Sequence, residues 1–117
     1  MGIERIEVGR RMSQAVVHGG TVYLAGQVAK DAPDADAATQ TRAILKRIDA
    51  LLGEAGSTKE RILSATIWLA DIGDFDAMNG EWDAWIPEGC APARACIESK
   101  LASPSFVVEI GIVAAGG

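Results

Sequence analysis

The chain has 117 residues, of which 49% are apolar, and a formal net charge of −5. That length suits one domain, residues 1–117, with a substantial core, and the apolar fraction excludes a disordered chain. Eleven basic residues against sixteen acidic ones form no basic cluster and no aromatic–basic platform, which argues against nucleic acid as a partner.

The N-terminal run Met1-Gly-Ile-Glu-Arg lacks the basic and apolar regions of a signal peptide, and no apolar stretch reaches membrane-spanning length. A cytoplasmic protein with no membrane partner is the expectation. Two cysteines, Cys90 and Cys96, do not make a disulfide framework and are expected as free thiols. A single histidine, His18, and no Cys-x-x-Cys or His-x-x-x-His spacing give no support for a metal site.

In chain order, Ile3 to Val8 alternates apolar and charged residues, as a half-exposed strand does. Gln14–His18 and Thr21–Ala25 flank Gly19-Gly20, a two-residue hairpin signal because both turn positions tolerate positive φ; His18 is then a turn-flanking side chain. Gly26-Gln27-Val28 continues the third strand. From about Asp36 to Ala55 the period becomes helical, with Thr41, Ile44, Leu45, Ile48, Leu51, Leu52 and Ala55 on one stripe and Gly56 as its stop. Ser57-Thr-Lys-Glu60 reads as a capping box opening a short helical turn. Ile62–Ala70 is a strand apolar on both faces. A second helix carries Phe75, Met78, Trp82 and Trp85 at spacings of three and four, a stripe read as helix core, and ends at Pro87. Strands over about 93–99 and 106–114 close the chain. The order β-β-β-α-β-α-β-β gives an α+β arrangement: about six mostly antiparallel strands with two helices on one face. Two helices leave the other face of this apolar sheet bare, so a symmetric homo-oligomer is expected.

The last two strands carry the chemistry. Arg94 lies in Pro92-Ala-Arg-Ala-Cys-Ile-Glu98, and Glu109 lies in Phe106-Val-Val-Glu-Ile-Gly-Ile-Val-Ala-Ala115. The turn-like Leu101–Ser105 between them suggests a hairpin, which would set Arg94, Cys96 and Glu109 at one patch. A guanidinium grips a carboxylate with two parallel hydrogen bonds, and a partly buried glutamate serves as a general base. The pair is either a substrate site or a cross-strand salt bridge, and these residues alone leave both readings open. Cys96 has no histidine neighbour to make it a nucleophile. Asn79 either caps locally or reaches a pocket, and Gly26 marks a bulge or a close approach.

The chain resembles the RidA superfamily (YjgF family) of reactive-intermediate deaminases over nearly its full length. The resemblance rests on Gly-Gly-Thr-Val-Tyr-Leu-Ala-Gly-Gln27, Asp71-Ile-Gly-Asp-Phe-Asp-Ala-Met-Asn79, and above all Pro92-Ala-Arg-Ala-Cys96 followed by Val108-Glu-Ile110. Arg11-Met-Ser-Gln-Ala-Val-Val and Trp82-Asp-Ala-Trp85 are similar to its YoaB-like branch. The resemblance implies a chorismate-mutase-like fold and a homotrimer with three inter-subunit clefts. It also implies cofactor-free hydrolysis of small 2-imino or enamine acids to 2-keto acids and ammonia. By the same resemblance Arg94 binds the substrate carboxylate, Glu109 orients or activates water, the Cys96 backbone lines the site, and Gly26 and Asn79 are cleft positions. Two positions depart from the family: Met12 stands where a tyrosine is usual, and Ala25 where a serine is. The rival readings are a non-catalytic trimer that binds small carboxylates and, more weakly, an endoribonuclease.

Overall fold

The apolar stripe of residues 41–55 becomes the spine of the molecule. In the computed structural model, which describes residues 2–116, helix α1 spans Ala37–Glu54 and turns that stripe fully into the core. Asp36 caps its start by accepting the Thr39 N–H at 2.8 Å. At its end Gly56 adopts φ +77°, while Gly56 N–H donates to the Gly53 carbonyl and Ser57 N–H to the Leu52 carbonyl. This is the paired closure that a left-handed residue permits, so the glycine stops the helix as expected. The expected capping box does not form. Thr58, not Ser57, precedes the short helical turn Lys59–Arg61 and makes no side-chain cap. The Ser57 hydroxyl donates instead to the Ala115 carbonyl at 2.6 Å, tying the turn to the last strand.

The strands are β1 (Glu4–Val8), β2 (Ser13–His18), β3 (Thr21–Leu24), β4 (Gln27–Val28), β5 (Ile62–Leu69), β6 (Ala93–Glu98) and β7 (Val108–Ala115), with helix α2 (Phe75–Trp85) between β5 and β6. Gly19 and Gly20 take φ of +60° and +77°, so the β2–β3 hairpin has the turn its dipeptide predicts. The expected third strand is β3 and β4 together. Tyr23 pairs with Val113 and Gln27 with Ile110, which sets four steps on one strand against three on the other. One extra residue therefore bulges at Ala25-Gly26, and the count becomes seven strands rather than about six.

The sheet order is β1-β2-β3-β7-β5-β6, with β4 also on β7. All pairs are antiparallel except β5–β6. This corrects the expected β6–β7 hairpin: β5 lies between those strands, so they are not neighbours. The physical reason is visible in their side chains. Every second residue of β7 is buried, as suits a central strand, whereas β6 is largely exposed, as suits an edge. The α2 crossover returns β6 parallel to β5, and residues 99–107 are long enough to carry the chain across to the other side of β5.

Both helices cover one face of the sheet, over Val22, Ala65, Ile67, Leu69, Val108, Ile110, Ile112 and Ala114. Burying each larger side chain among these contributes about 1.5–3 kcal/mol. The other face is uncovered and apolar: Tyr23 and Ile97 are 48% and 47% exposed, with Val16, Trp68 and Val113 half-buried around them. Gln40, fully buried, carries a polar network through the core. Its amide donates to the carbonyls of Ala35 and Ser105 and accepts from the Val107 N–H, pinning the segment that leads into β7.

Candidate active site

Strand alternation decides where the charged pair points. Arg94 pairs with Ala65, and Ala65 with Ile112, all on the helix-covered face. There the guanidinium lies over two rings of α2, 5.3 Å from the Trp82 centroid and 5.9 Å from that of Phe75. Trp82 is buried and Phe75 partly exposed, so the cation rests on an aromatic shelf with an open side. Such stacking orients a guanidinium while leaving its N–H groups free to donate. Met78 and Trp82 are core residues, as the helical stripe predicts, but its two ends are not: Phe75 is 37% exposed and Trp85 half-buried, because α2 reaches past the edge of the core there.

Glu109 faces the other way. It pairs with Trp68 and Val28 on the uncovered face, between neighbours that are buried on the helix side. The bulge at Ala25-Gly26 makes room for it: a Cβ at Gly26 would fall 2.1 Å from Glu109 Oε2. The expected close approach at Gly26 is therefore to the Glu109 carboxylate. Trp68 closes another side, its ring lying over Gly111, where a Cβ would meet it at 3.3 Å.

The structure thus separates what the hairpin reading joined. Arg94 and Glu109 sit two strands apart, about 10 Å across the sheet, and on opposite faces. A cross-strand salt bridge within the protomer is excluded by that geometry. Among the described residues the ion pairs are Arg42–Glu81 and Arg47–Glu7, and neither Arg94 nor Glu109 takes part in one.

Cys96 pairs with Ile67 on the helix side and packs against the core. Burial pushes its thiol pKa above the ordinary value, outweighing the downward pull of the Arg94 charge. It is a protonated thiol at neutral pH and a poor nucleophile. Asn79 lies four residues after Phe75 and three before Trp82, so all three share one helix face. Its Oδ1 is buried without a hydrogen-bond partner, a costly state that a donor arriving from outside the protomer would relieve. Met12 is 56% exposed in the β1–β2 connection. Because Ala25 N–H donates to the Gln14 carbonyl, that connection emerges at the Gly26 end of β3. Gly26, Glu109 and Met12 therefore belong to one side of the protomer, and Arg94, Cys96 and Asn79 to another.

The aromatic shelf under Arg94 and the Trp68 wall beside Glu109 were not read from the sequence as site features. The spacing of Phe75 and Trp82 signalled only a core stripe. Among the described residues no cluster of three or more His, Cys, Asp or Glu side chains could hold a metal ion, and no helix is long and apolar enough to cross a membrane.

Comparison with known proteins agrees with this fold. The model of the family described as Endoribonuclease L-PSP matches residues 2–116. The chain belongs to that family. It is 48% identical to the RutC family protein YoaB of Escherichia coli K12, over 98% of this chain and 99% of that protein. Among solved structures, a YjgF-family protein of Neisseria meningitidis superposes with a TM-score of 0.96 at 44% identity, covering 100% of this chain and 97% of that one. The Rid-family protein YyfA of Yersinia pestis gives 0.90 at 30% identity, covering 97% and 99%. The RidA/YjgF resemblance read from the motifs is thereby established, as is the fold of two helices on a mostly antiparallel sheet.

Proposed function

We propose that the protein is a cofactor-independent imine deaminase, hydrolysing small 2-imino or enamine acids to 2-keto acids and ammonia. We further propose that each site forms between two copies of the chain in a homotrimer. The observation that carries this reading is the placement of an unpaired Arg94 and an unpaired Glu109 on opposite faces of one sheet. A single protomer cannot bring both to a substrate of a few carbon atoms, whereas a neighbouring copy docked on the bare apolar face can.

In this mechanism the Arg94 guanidinium, steadied by Trp82 and Phe75, holds the substrate carboxylate with two parallel hydrogen bonds. Glu109 of the adjoining copy accepts a hydrogen bond from water and takes its proton as the oxygen adds to the imine carbon. Glu109 then delivers that proton to the imine nitrogen, giving a neutral carbinolamine. It next takes the hydroxyl proton of this adduct and passes it to the amine nitrogen, so that collapse forms the ketone C=O, breaks the C–N bond, releases ammonia and leaves the carboxylate ionised again. Free imines already hydrolyse in water, so the protein contributes mainly positioning and electrostatic complementarity. Cys96 contributes its backbone and not its thiol. The family resemblance implies that imines of this kind arise from amino acids on pyridoxal-phosphate enzymes, and a cytoplasmic setting is part of the proposal.

An assay that generates 2-iminobutanoate or 2-aminoacrylate with a dehydratase, and follows keto-acid release, tests it. Wild type speeds release; Arg94→Ala and Glu109→Ala, folded by circular dichroism, do not. Equal rates for wild type and Arg94→Ala contradict the proposal. Met12 and Ala25, which lack the hydroxyls usual at these positions, favour a second reading: capture of small carboxylates without turnover. Calorimetric binding of a keto acid with no rate enhancement selects it. The word endoribonuclease in the family description fits poorly with a net charge of −5 and no basic stripe for phosphates.

A further inference from the structure

A polar cavity of about 310 Å³ lies on the helix side of the sheet, away from Arg94 and from the bare face, between β4, the β1–β2 hairpin and α1. Its polar lining is Glu7, Gln14, Gln27, Lys30, Asp31 and Arg47. The size is at the lower end of small-molecule sites, about 300–1,000 Å³.

At its base sits Gln27, only 5% exposed. Its Nε2 donates to Gln14 Oε1 at 2.9 Å and to the Ala25 carbonyl at 3.0 Å. A carbonyl only accepts, so the atom facing Ala25 is the nitrogen, and the orientation of both amides follows. Gln27 Oε1 and Gln14 Nε2 are then an acceptor and a donor that no described residue engages. Neither is among the buried polar atoms without a partner, so both are reached by solvent from the cavity and are open to a ligand there. Glu7, between the paired residues Ile6 and Val8 of β1, takes φ +51°, a left-handed conformation uncommon for a non-glycine residue and found at ligand clamps. It forms an ion pair with Arg47 of α1, whose hydrogen bond holds the Glu7 carboxyl below the usual carboxylate range.

We infer that this cavity is a second binding site, built for a small zwitterion such as a free α-amino acid. The Arg47–Glu7 ion pair and the exposed Lys30 and Asp31 give the lining both charge signs beside that amide donor and acceptor. A simple anion meets repulsion from the carboxylates, and a simple amine meets it from the cations. A ligand carrying both a carboxylate and an ammonium matches a lining of both signs and both amides. The site has a connection to the Glu109 region: β4 and its bulge place Gln27 in this cavity and the preceding Gly26 against Glu109.

NMR on the uniformly ¹⁵N-labelled full chain tests it, reading the side-chain amide signals of Gln14 and Gln27 during titration with L-alanine, propanoate or ethylamine. L-alanine is expected to shift both signals saturably, at least about tenfold more tightly than either single-charge probe. The same shifts are expected in Arg94→Ala, which separates this site from the proposed active site; both are expected to vanish in Lys30→Met, and that of Gln27 in Gln14→Leu. Three outcomes overturn the inference: no shift at millimolar L-alanine, equal binding of propanoate or ethylamine, or shifts that survive both substitutions in folded protein.

Discussion

Gly26→Ala is the sharpest single-atom probe of the proposed chemistry. The added Cβ falls 2.1 Å from Glu109 Oε2, 3.0 Å from Cδ and 3.3 Å from Cγ. To regain an ordinary 3.4 Å contact the oxygen must retreat by about 1.3 Å. Because the obstruction is the far end of a flexible side chain, the fold tolerates the change, at a cost of about 1 kcal/mol, the low end for an inserted methyl group. Catalysis tolerates it far less: a misplacement of about 1 Å in a positioned group lowers rates by roughly 100-fold. The keto-acid release assay gives kcat/KM, and a thermal melt gives stability on the same samples. A loss of roughly 100-fold with a nearly unchanged Tm is expected. Wild-type turnover in folded Gly26→Ala would refute the claim that Glu109 acts from its observed position.

Other substitutions report on other parts of the account. Gln40→Leu removes three partly buried hydrogen bonds and should destabilise by about 2–4 kcal/mol in urea unfolding. Cys96→Ser should retain activity within about twofold, since the thiol makes no chemical contribution. In a Cys90→Ala background, Cys96 should react with iodoacetamide at pH 7 more slowly than free cysteine, and faster as pH rises, because its raised pKa keeps the reactive thiolate scarce near neutrality. Ile97→Glu puts a charge on the bare face, where Ile97 is 47% exposed. Light scattering after size exclusion should then show the wild-type oligomer reduced to monomer, and an unchanged mass would remove that face from the interface.

The helices and most strands were legible because their periods are clean. The α1 stripe from Thr41 to Ala55 is buried throughout, and Gly19-Gly20 and Gly56 sit where positive φ is needed. Strand pairing was not legible. Adjacency in sequence suggested that Arg94 and Glu109 share a hairpin, but pairing is set by which strand needs two neighbours, and β7, alternately buried along its length, took the centre. That error mattered for the site, because it put on one face two groups that point to opposite faces. The Ser57 hydroxyl escaped prediction for a similar reason: its best acceptor, the Ala115 carbonyl, is remote in sequence. The role of Gln27 was equally hidden, since a glutamine in a strand does not announce a cavity on the far side of the sheet.

The central claim is that Arg94 of one copy works with Glu109 of another. Mixing the two single variants tests it most directly: Arg94→Ala and Glu109→Ala chains, each inactive alone, are co-expressed in equal amounts and purified as mixed oligomers through distinct tags. If each cleft of the trimer takes one residue from each of two copies, every mixed trimer has one intact cleft in three, and roughly one third of wild-type activity returns. If both residues serve a site within one copy, no intact site can form, and a mixture no more active than either parent would contradict the account.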